Sequence, residues 1–260
     1  LEPPLPILNQ GTDQGADEHV RPANGALPIA ETFVSLQGEG KLSGVPSWFC
    51  RASGCNLRCA WCDTPYASWK PEGNARQVEA LIAEGLTTGV RHAVLTGGEP
   101  MLFAALVDLA AGLRAGGMHV TIETAGTIDL PAPADLLSIS PKLSTSAPST
   151  QRSIDLAGTP AWSARHEARR INLPALQSLL NRPCDRQLKF VACTPADVPE
   201  IEGLLTKLTG WSPADVLLMP EGVVQPSAEH LAWVAQACVQ RGWRFCPRLH
   251  IQLYGNKRGT

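Results

Sequence analysis

From about residue 29 onward, the apolar positions follow two alternating rhythms. Short β-rich runs bounded by Gly, Pro or Ser read as strands: Ser47–Arg51, His92–Leu95, His119–Glu123, Leu136–Ser140, Gln187–Val191, Val216–Met219 and Trp243–Pro247. Between them, apolar residues recur three and four apart, as in Leu102, Leu106, Leu109 and Leu113, which is the period of an amphipathic helix. Helices are expected over Arg76–Glu84, Phe103–Ala115, Val198–Leu208 and Ser227–Arg241. Strand–helix alternation of this kind predicts an α/β chain with a parallel sheet and right-handed crossovers, open or curled toward a barrel. Residues 141–185 interrupt the rhythm, with a polar loop at Ser144–Thr150 and only a possible crossover helix over Ala164–Leu180. Residues 1–28 carry five prolines, several acids and no aromatic residue, and read as a flexible N-terminal arm before a domain spanning 29–260.

Composition narrows the class. The 260 residues are 44% hydrophobic and 18% charged, enough apolar material for one large core. The formal net charge of −2 argues against a nucleic-acid binder working by bulk electrostatics. No apolar run reaches the length of a membrane span, and the first residues lack the blocks of a signal peptide, so a cytoplasmic protein without a membrane partner is expected. Four of the eight cysteines, Cys50, Cys55, Cys59 and Cys62, crowd into one short stretch, which in the cytosol reads as a metal or redox centre. Cys184, Cys193, Cys238 and Cys246 are scattered and need no function.

The notable motifs all follow strands. Cys55-Asn56-Leu57-Arg58-Cys59-Ala60-Trp61-Cys62-Asp63-Thr64 follows the first, and Thr96-Gly97-Gly98-Glu99-Pro100 the second. Later strands end in Glu123-Thr124-Ala125-Gly126, Ser140-Pro141-Lys142 and Met219-Pro220-Glu221-Gly222. In parallel α/β folds the carboxyl ends of the strands carry the site, so these loops would build a single pocket. The C-x3-C-x2-C spacing brings three thiolates to one soft metal centre. An iron–sulfur cluster held by three cysteines keeps one iron open for chemistry. Zinc would want a fourth ligand, for which Cys50 or His92 could serve, and a fortuitous group of thiols is the bland alternative. The pair Gly97-Gly98 suits close backbone approach to a ligand, against an ordinary strand–helix turn with Pro100 at the first helical position.

C-x3-C-x2-C with an aromatic residue before the last cysteine, followed by Gly-Gly-Glu-Pro, resembles the radical S-adenosylmethionine (radical SAM) enzymes. The resemblance implies a curled, partly open parallel (β/α) barrel with fewer than eight strands. It also implies a 4Fe–4S cluster on Cys55, Cys59 and Cys62 whose open iron binds S-adenosylmethionine, the source of a 5′-deoxyadenosyl radical. The implied cofactor contacts are Trp61, Asp63, Gly98, Glu99, Ser140, Pro141, Lys142, Met219, Pro220, Glu221 and Gly222.

The flanks narrow the likeness. Glu31-Thr32-Phe33-Val34-Ser35-Leu36-Gln37-Gly38-Glu39-Gly40, Phe49-Cys50-Arg51, Cys62-Asp63-Thr64 and a closing Leu-Tyr-Gly-Asn segment are similar to the 7-carboxy-7-deazaguanine synthases, from about Ile29 to Thr260. That family contracts 6-carboxy-5,6,7,8-tetrahydropterin to 7-carboxy-7-deazaguanine with loss of ammonia, on the route to queuosine. The implied substrate contacts are Leu36, Gln37, Gly38, Glu39, Arg51 and Thr96, with the C-terminal carboxylate of Thr260. Mg2+ on Thr64, an external reductant such as flavodoxin, and a homodimer are further family expectations. The chain departs from the pattern at Tyr254, where a histidine is expected, and at Met219–Gly222.

Bland readings stand beside these: a plain turn at Gln37–Gly40, a surface strand residue at Arg51, a helix N-cap at Thr64. His19, His119, His166, His230 and His250 show no ligand-like spacing and read as surface or core residues. Two other functions compete, a glycyl-radical-enzyme activase acting on a partner protein and a non-catalytic metal-binding module.

Overall fold

The computed structural model describes residues 25–148 and 160–260. The expected strands form, as β2 (Pro46–Ala52), β4 (His92–Gly97), β5 (His119–Thr124), β6 (Leu136–Ile139), β7 (Asp185–Ala192), β8 (Val216–Pro220) and a two-residue β9 (Arg244–Phe245). They run parallel in that order, each hydrogen-bonded to the next. Two further strands, β1 (Ala26–Leu36) and β3 (Asn74–Gln77), extend this sheet at the β2 edge in the order β3-β1-β2. Both pairings of β1 are antiparallel. The sheet therefore has nine strands among the described residues, seven of them parallel, and its ends at β3 and β9 leave it partly open. Residues 26–28, read from sequence as part of the arm, already lie in β1; the rest of the arm, 1–24, lies outside the described residues, as does His19.

Helices cross between the strands: α1 (Val78–Thr87), α2 (Leu106–Ala115), α3 (Pro160–Arg169), α4 (Leu173–Leu180), α5 (Asp197–Leu205), α6 (Ala228–Arg241) and a short α7 (Leu249–Tyr254). The first helix starts two residues later than its pattern suggests because Arg76 and Gln77 pair with β1. The second starts at Leu106 because Pro100–Leu102 form a 3-10 turn capped by the Glu99 carboxylate. In place of one crossover helix over Ala164–Leu180 there are two. Asn172 accepts from Ala175 N at 3.3 Å and Pro174 opens the new helix, where its missing N–H costs nothing. In α6, Ser227 Oγ caps one end by accepting from His230 N, and Gly242 at φ 68° ends the other in the left-handed region.

The core lies between sheet and helices. Leu95, Val120, Ile122, Leu137, Leu188, Phe190 and Leu218 from the parallel strands meet Leu81, Leu109, Leu113, Leu176 and Ile201 from the helices. Strands buried on both faces explain the near-continuous apolar runs that made them legible. No helix among the described residues is long and apolar enough to cross a membrane.

Candidate active site

The carboxyl ends of the strands open into a cavity of about 470 Å3. Cys55, Cys59 and Cys62 line it from the loop after β2. That loop is pinned at many points. Gly54 N donates to Ala67 O at 2.8 Å, Ala60 N to Ser146 O at 2.9 Å, and the Trp69 indole to Cys59 O at 3.1 Å. Arg58, between two of the cysteines, turns its guanidinium back onto Cys55 O and Leu57 O, both at 2.8 Å, and lies 3.9 Å over the Trp162 ring. His166 on α3, read from sequence as a plain core or surface residue, accepts from Arg58 N at 3.1 Å through Nδ1 and meets Ser146 Oγ at 2.9 Å through Nε2.

The cysteines suit a polynuclear cluster. Burial pushes the Cys55 thiol up to about 12, and the Cys59 thiol higher still, so these sulfurs need a bound cation to become thiolates. Among the described residues no three His, Cys, Asp or Glu groups converge as ligands of a single ion. Three thiols from one loop that line one cavity suit the cysteine ligation of an iron–sulfur cluster. The buried indole Nε1 of Trp61, beside them, has no hydrogen-bond partner among the described residues. The two suggested fourth ligands are elsewhere. Cys50 belongs to the core, and His92 is buried between Ser47 Oγ at 2.7 Å and Thr121 Oγ1 at 2.8 Å.

The glycine pair serves the protein itself. A Cβ on Gly98 would lie 2.2 Å from Gly54 O and 2.5 Å from Ala67 O, so the close approach is to the root of the cysteine loop. Glu99 is fully buried and stands behind the cavity wall. Its carboxylate accepts from Met101 N at 3.1 Å, Thr124 Oγ1 at 2.9 Å and Ala125 N at 2.8 Å. Burial raises its pKa, and these donors together with Lys142 oppose the shift.

Across the cavity lies a buried ion network. Glu39 pairs with Lys189, with Arg248 Nε at 3.3 Å and, at 3.9 Å, with His250 Nε2. Arg248 also grips Asp63 and the carbonyl of Gly222. Burial raises the pKa of Glu39, but Lys189, Arg248 and His250 outweigh it and hold the carboxyl well below its ordinary range. Burial works against the charge on Lys189, and Glu39 and Glu123 more than restore it. Glu123 itself accepts from Gln37 Nε2 at 3.2 Å and Thr96 Oγ1 at 3.0 Å. A second hub is Glu31, whose Oε1 takes Arg51 Nε at 2.8 Å and the Tyr66 hydroxyl at 2.7 Å while Oε2 takes Arg258 Nε at 3.1 Å.

The cavity thus gathers most of the residues singled out from sequence. Leu36, Gln37, Gly38, Glu39, Arg51, Trp61, Asp63, Thr64, Thr96, Gly98, Ser140, Lys142, Met219 and Thr260 line it with the three cysteines. Glu99, Pro141, Pro220, Glu221 and Gly222 do not, and Tyr254 is exposed outside it. No helix follows Thr64, whose hydroxyl lies 3.8 Å from Cys62 Sγ, so it is not a helix N-cap. The segment Glu123-Thr124-Ala125, expected at the pocket from its place at the end of β5, does line it; sequence reasoning missed Lys189, Arg248 and His250 as lining residues.

Comparison with known proteins agrees with this geometry. Residues 50–154 match the family described as the Radical SAM superfamily. A 7-carboxy-7-deazaguanine synthase of Rhodopirellula baltica is 42% identical over 264 aligned positions, covering 100% of this chain and 99% of the relative. One of Halobacterium salinarum is 46% identical and covers 90% of this chain and 93% of the relative. Among solved structures, QueE from Escherichia coli matches with a TM-score of 0.65 at 26% identity, over 86% of this chain and 95% of that one.

Proposed function

The chain belongs to the 7-carboxy-7-deazaguanine synthases, radical SAM lyases, and on that premise we propose how its pocket divides the labour of the ring contraction. The reaction takes 6-carboxy-5,6,7,8-tetrahydropterin to 7-carboxy-7-deazaguanine with release of ammonia. The observation that carries the division is one cavity lined on one side by three thiols and on the other by groups suited to a polar heterocycle.

Cys55, Cys59 and Cys62 hold the 4Fe–4S cluster. When bound, the cluster and S-adenosylmethionine supply the radical that starts the contraction. Trp61, Asp63, Gly98, Ser140, Lys142 and Met219 form the adjoining cofactor wall. Lys142 supports this role: its Nζ donates to Ser140 Oγ at 2.8 Å and has no carboxylate partner among the described residues, which leaves its charge for the carboxylate of the methionyl group. Glu99, Pro141, Pro220, Glu221 and Gly222 support this wall from behind, Glu99 by fixing Thr124 and Ala125 and Gly222 by accepting from Arg248.

Leu36, Gln37, Gly38, Glu39, Arg51, Thr96 and Thr260 receive the pterin, joined by Glu123, Lys189 and His250. Glu123 and Gln37 offer acceptor and donor edges to the ring, and Arg51 is placed to pair with the substrate carboxylate. Residues 256–260 line the cavity and suit it to a small molecule more than to the protein loop an activase would need. Thr64 is the proposed Mg2+ ligand, since it lines the cavity and carries a hard hydroxyl oxygen. A flavodoxin-type reductant, a homodimer and a cytoplasmic setting complete the proposal, and the near-neutral charge supports the absence of a nucleic-acid partner.

The test is anaerobic reconstitution followed by reaction with the pterin, S-adenosylmethionine, Mg2+ and reductant, with products read by mass spectrometry. The expected product is 7-carboxy-7-deazaguanine, with no matching accumulation of 5′-deoxyadenosine. Release of 5′-deoxyadenosine without the deazaguanine would show the substrate assignment to be wrong.

A further inference from the structure

Residues 255–260 leave α7 at Gly255, whose φ of 72° turns the chain sharply, and run back across the cavity, which residues 256–260 line. Two of this strap's hydrogen bonds are local: Lys257 N to Gly255 O at 2.9 Å, and Thr260 Oγ1 to Lys257 O at 2.7 Å. Among the described residues, apart from Gly255 N, which donates to Ile251 O at 3.0 Å and closes α7, the bonds that leave the strap come from one side chain, Arg258. Its Nε donates to Glu31 Oε2 at 3.1 Å, Nη1 to Glu72 Oε2 at 2.9 Å and Nη2 to Ala30 O at 3.1 Å, while the guanidinium lies 4.0 Å over the Tyr66 ring.

We propose that Arg258 is the pin that positions this strap over the pterin pocket, and that through Glu31 it also sets Arg51. The proposal rests on the reading of this cavity as the pterin site. Arg258 is half-exposed, and a single ion pair there would hold little. Four contacts from one planar group differ in kind: two carboxylates, one carbonyl and an aromatic face fix both the position and the plane of the guanidinium. Glu31 makes the pin reach further. Its carboxylate is shared by Arg258 on one oxygen and by Arg51 and the Tyr66 hydroxyl on the other. Losing Arg258 frees the strap and also lets the Glu31 carboxylate rotate, taking Arg51 from the orientation in which it faces the cavity. Arg258 is a positioning residue: it acts on the substrate through the strap and through Arg51.

The experiment compares the cluster-loaded native protein with Arg258→Ala and, to keep the strap's sequence intact, with a Tyr66→Leu/Glu72→Ala double variant. A lysine-specific endoproteinase reports on the strap by cutting after Lys257, and steady-state kinetics report on the pocket. Both variants are expected to be cut about tenfold faster and to raise KM for the pterin about tenfold while kcat falls far less, the mark of lost ground-state binding. Arg258→Lys, which keeps the charge without the fork but adds a cleavage site, is read by kinetics alone and should recover only part of the KM effect. Iron content per chain is expected to stay unchanged. Cleavage at the native rate in both variants overturns the pin. Faster cleavage with an unaltered KM overturns its positioning role. Should the native enzyme fail to turn over the pterin, the functional reading falls while the cleavage comparison still decides the pin.

Discussion

His92 and Gly98 carry separate burdens within the same strand-and-turn segment. Burial, with His119 nearby, lowers the His92 pKa to about 4 from an ordinary 6.5. The unfolded chain therefore takes up its proton first as the pH falls. The stability this neutral ring contributes is complete above pH 6.5 and is lost progressively toward pH 4. After discounting for residual solvation, the loss is about 2 kcal/mol. His92→Gln, which can still bridge Ser47 and Thr121, is expected to flatten that part of the stability profile, as urea midpoints at pH 7 and pH 4.5 would show. At Gly98 the obstacle to a side chain is backbone, so Gly98→Ala must displace the root of the cysteine loop. It should cost about 1–3 kcal/mol and lower the iron bound per chain after reconstitution. Gly203, in α5 with open space around its Cβ position, is the control. Gly203→Ala should raise stability by about 0.5–1 kcal/mol. Sequence marks Gly98 as special but cannot say whether the close neighbour is a ligand or the chain itself, because that depends on how two loops pack.

Elements were legible where both faces of a strand are buried. β4 and β8 announce themselves through apolar runs because helices cover one face and the barrel interior the other. β3 reads Asn-Ala-Arg-Gln, mostly exposed, and is a strand only because β1 offers it an edge. Its pairing is a tertiary fact with no local signature. The β1–β2 connection shows the same dependence. Residues 37–45 carry Gln37, Gly38 and Glu39, and they reach across to β7. Lys41 Nζ donates to Asp185 Oδ1 at 2.8 Å and Arg186 O at 2.5 Å in β7 and to Asp215 Oδ1 at 3.1 Å just before β8, while Gln187 Oε1 accepts from Lys41 N at 2.7 Å. One lysine anchors the far end of the loop that presents the pterin contacts. Lys41→Met should keep the apolar stem but release the anchor, costing about 1–2 kcal/mol and raising KM for the pterin more than it lowers kcat. An unchanged KM would mean that the loop is held by its other ties, Leu249 N on Gly38 O, Gly40 N on Cys246 Sγ, Lys41 N on Gln187 Oε1 and the Glu39 ion pairs.

For the molecule as a whole, the open sheet leaves its two flanks to be joined by side chains across the cavity. Glu39 and Asp63 come from the β1 and β2 side, and Lys189 and Arg248 from the β7 and β9 side. These partners lie 150, 209 and 185 positions apart in sequence, so nothing local foretells the pairing. The family resemblance reached Glu39 and Asp63 through their motifs, and had no motif for Lys189 or Arg248. A buried carboxylate facing two buried cations is costly to break from one side. Glu39→Ala leaves the buried Lys189 ammonium without its ion-pair partner and Arg248 with Asp63 alone, and should destabilise the protein by about 3–5 kcal/mol. Lys189→Met in the same background removes the stranded ammonium, so the double variant should be more stable than the sum of the single losses predicts. A coupling of at least about 1 kcal/mol in the double-mutant cycle is expected. The depressed pKa of Glu39 adds a second condition. Its carboxylate contributes stability above the ordinary 4.5 and loses it only well below that pH, so the coupling should be the same at pH 5 as at pH 7. Simple additivity at both pH values would mean that the flanks are held together by the sheet and its helices, and that the network's charges serve only the ligands between them.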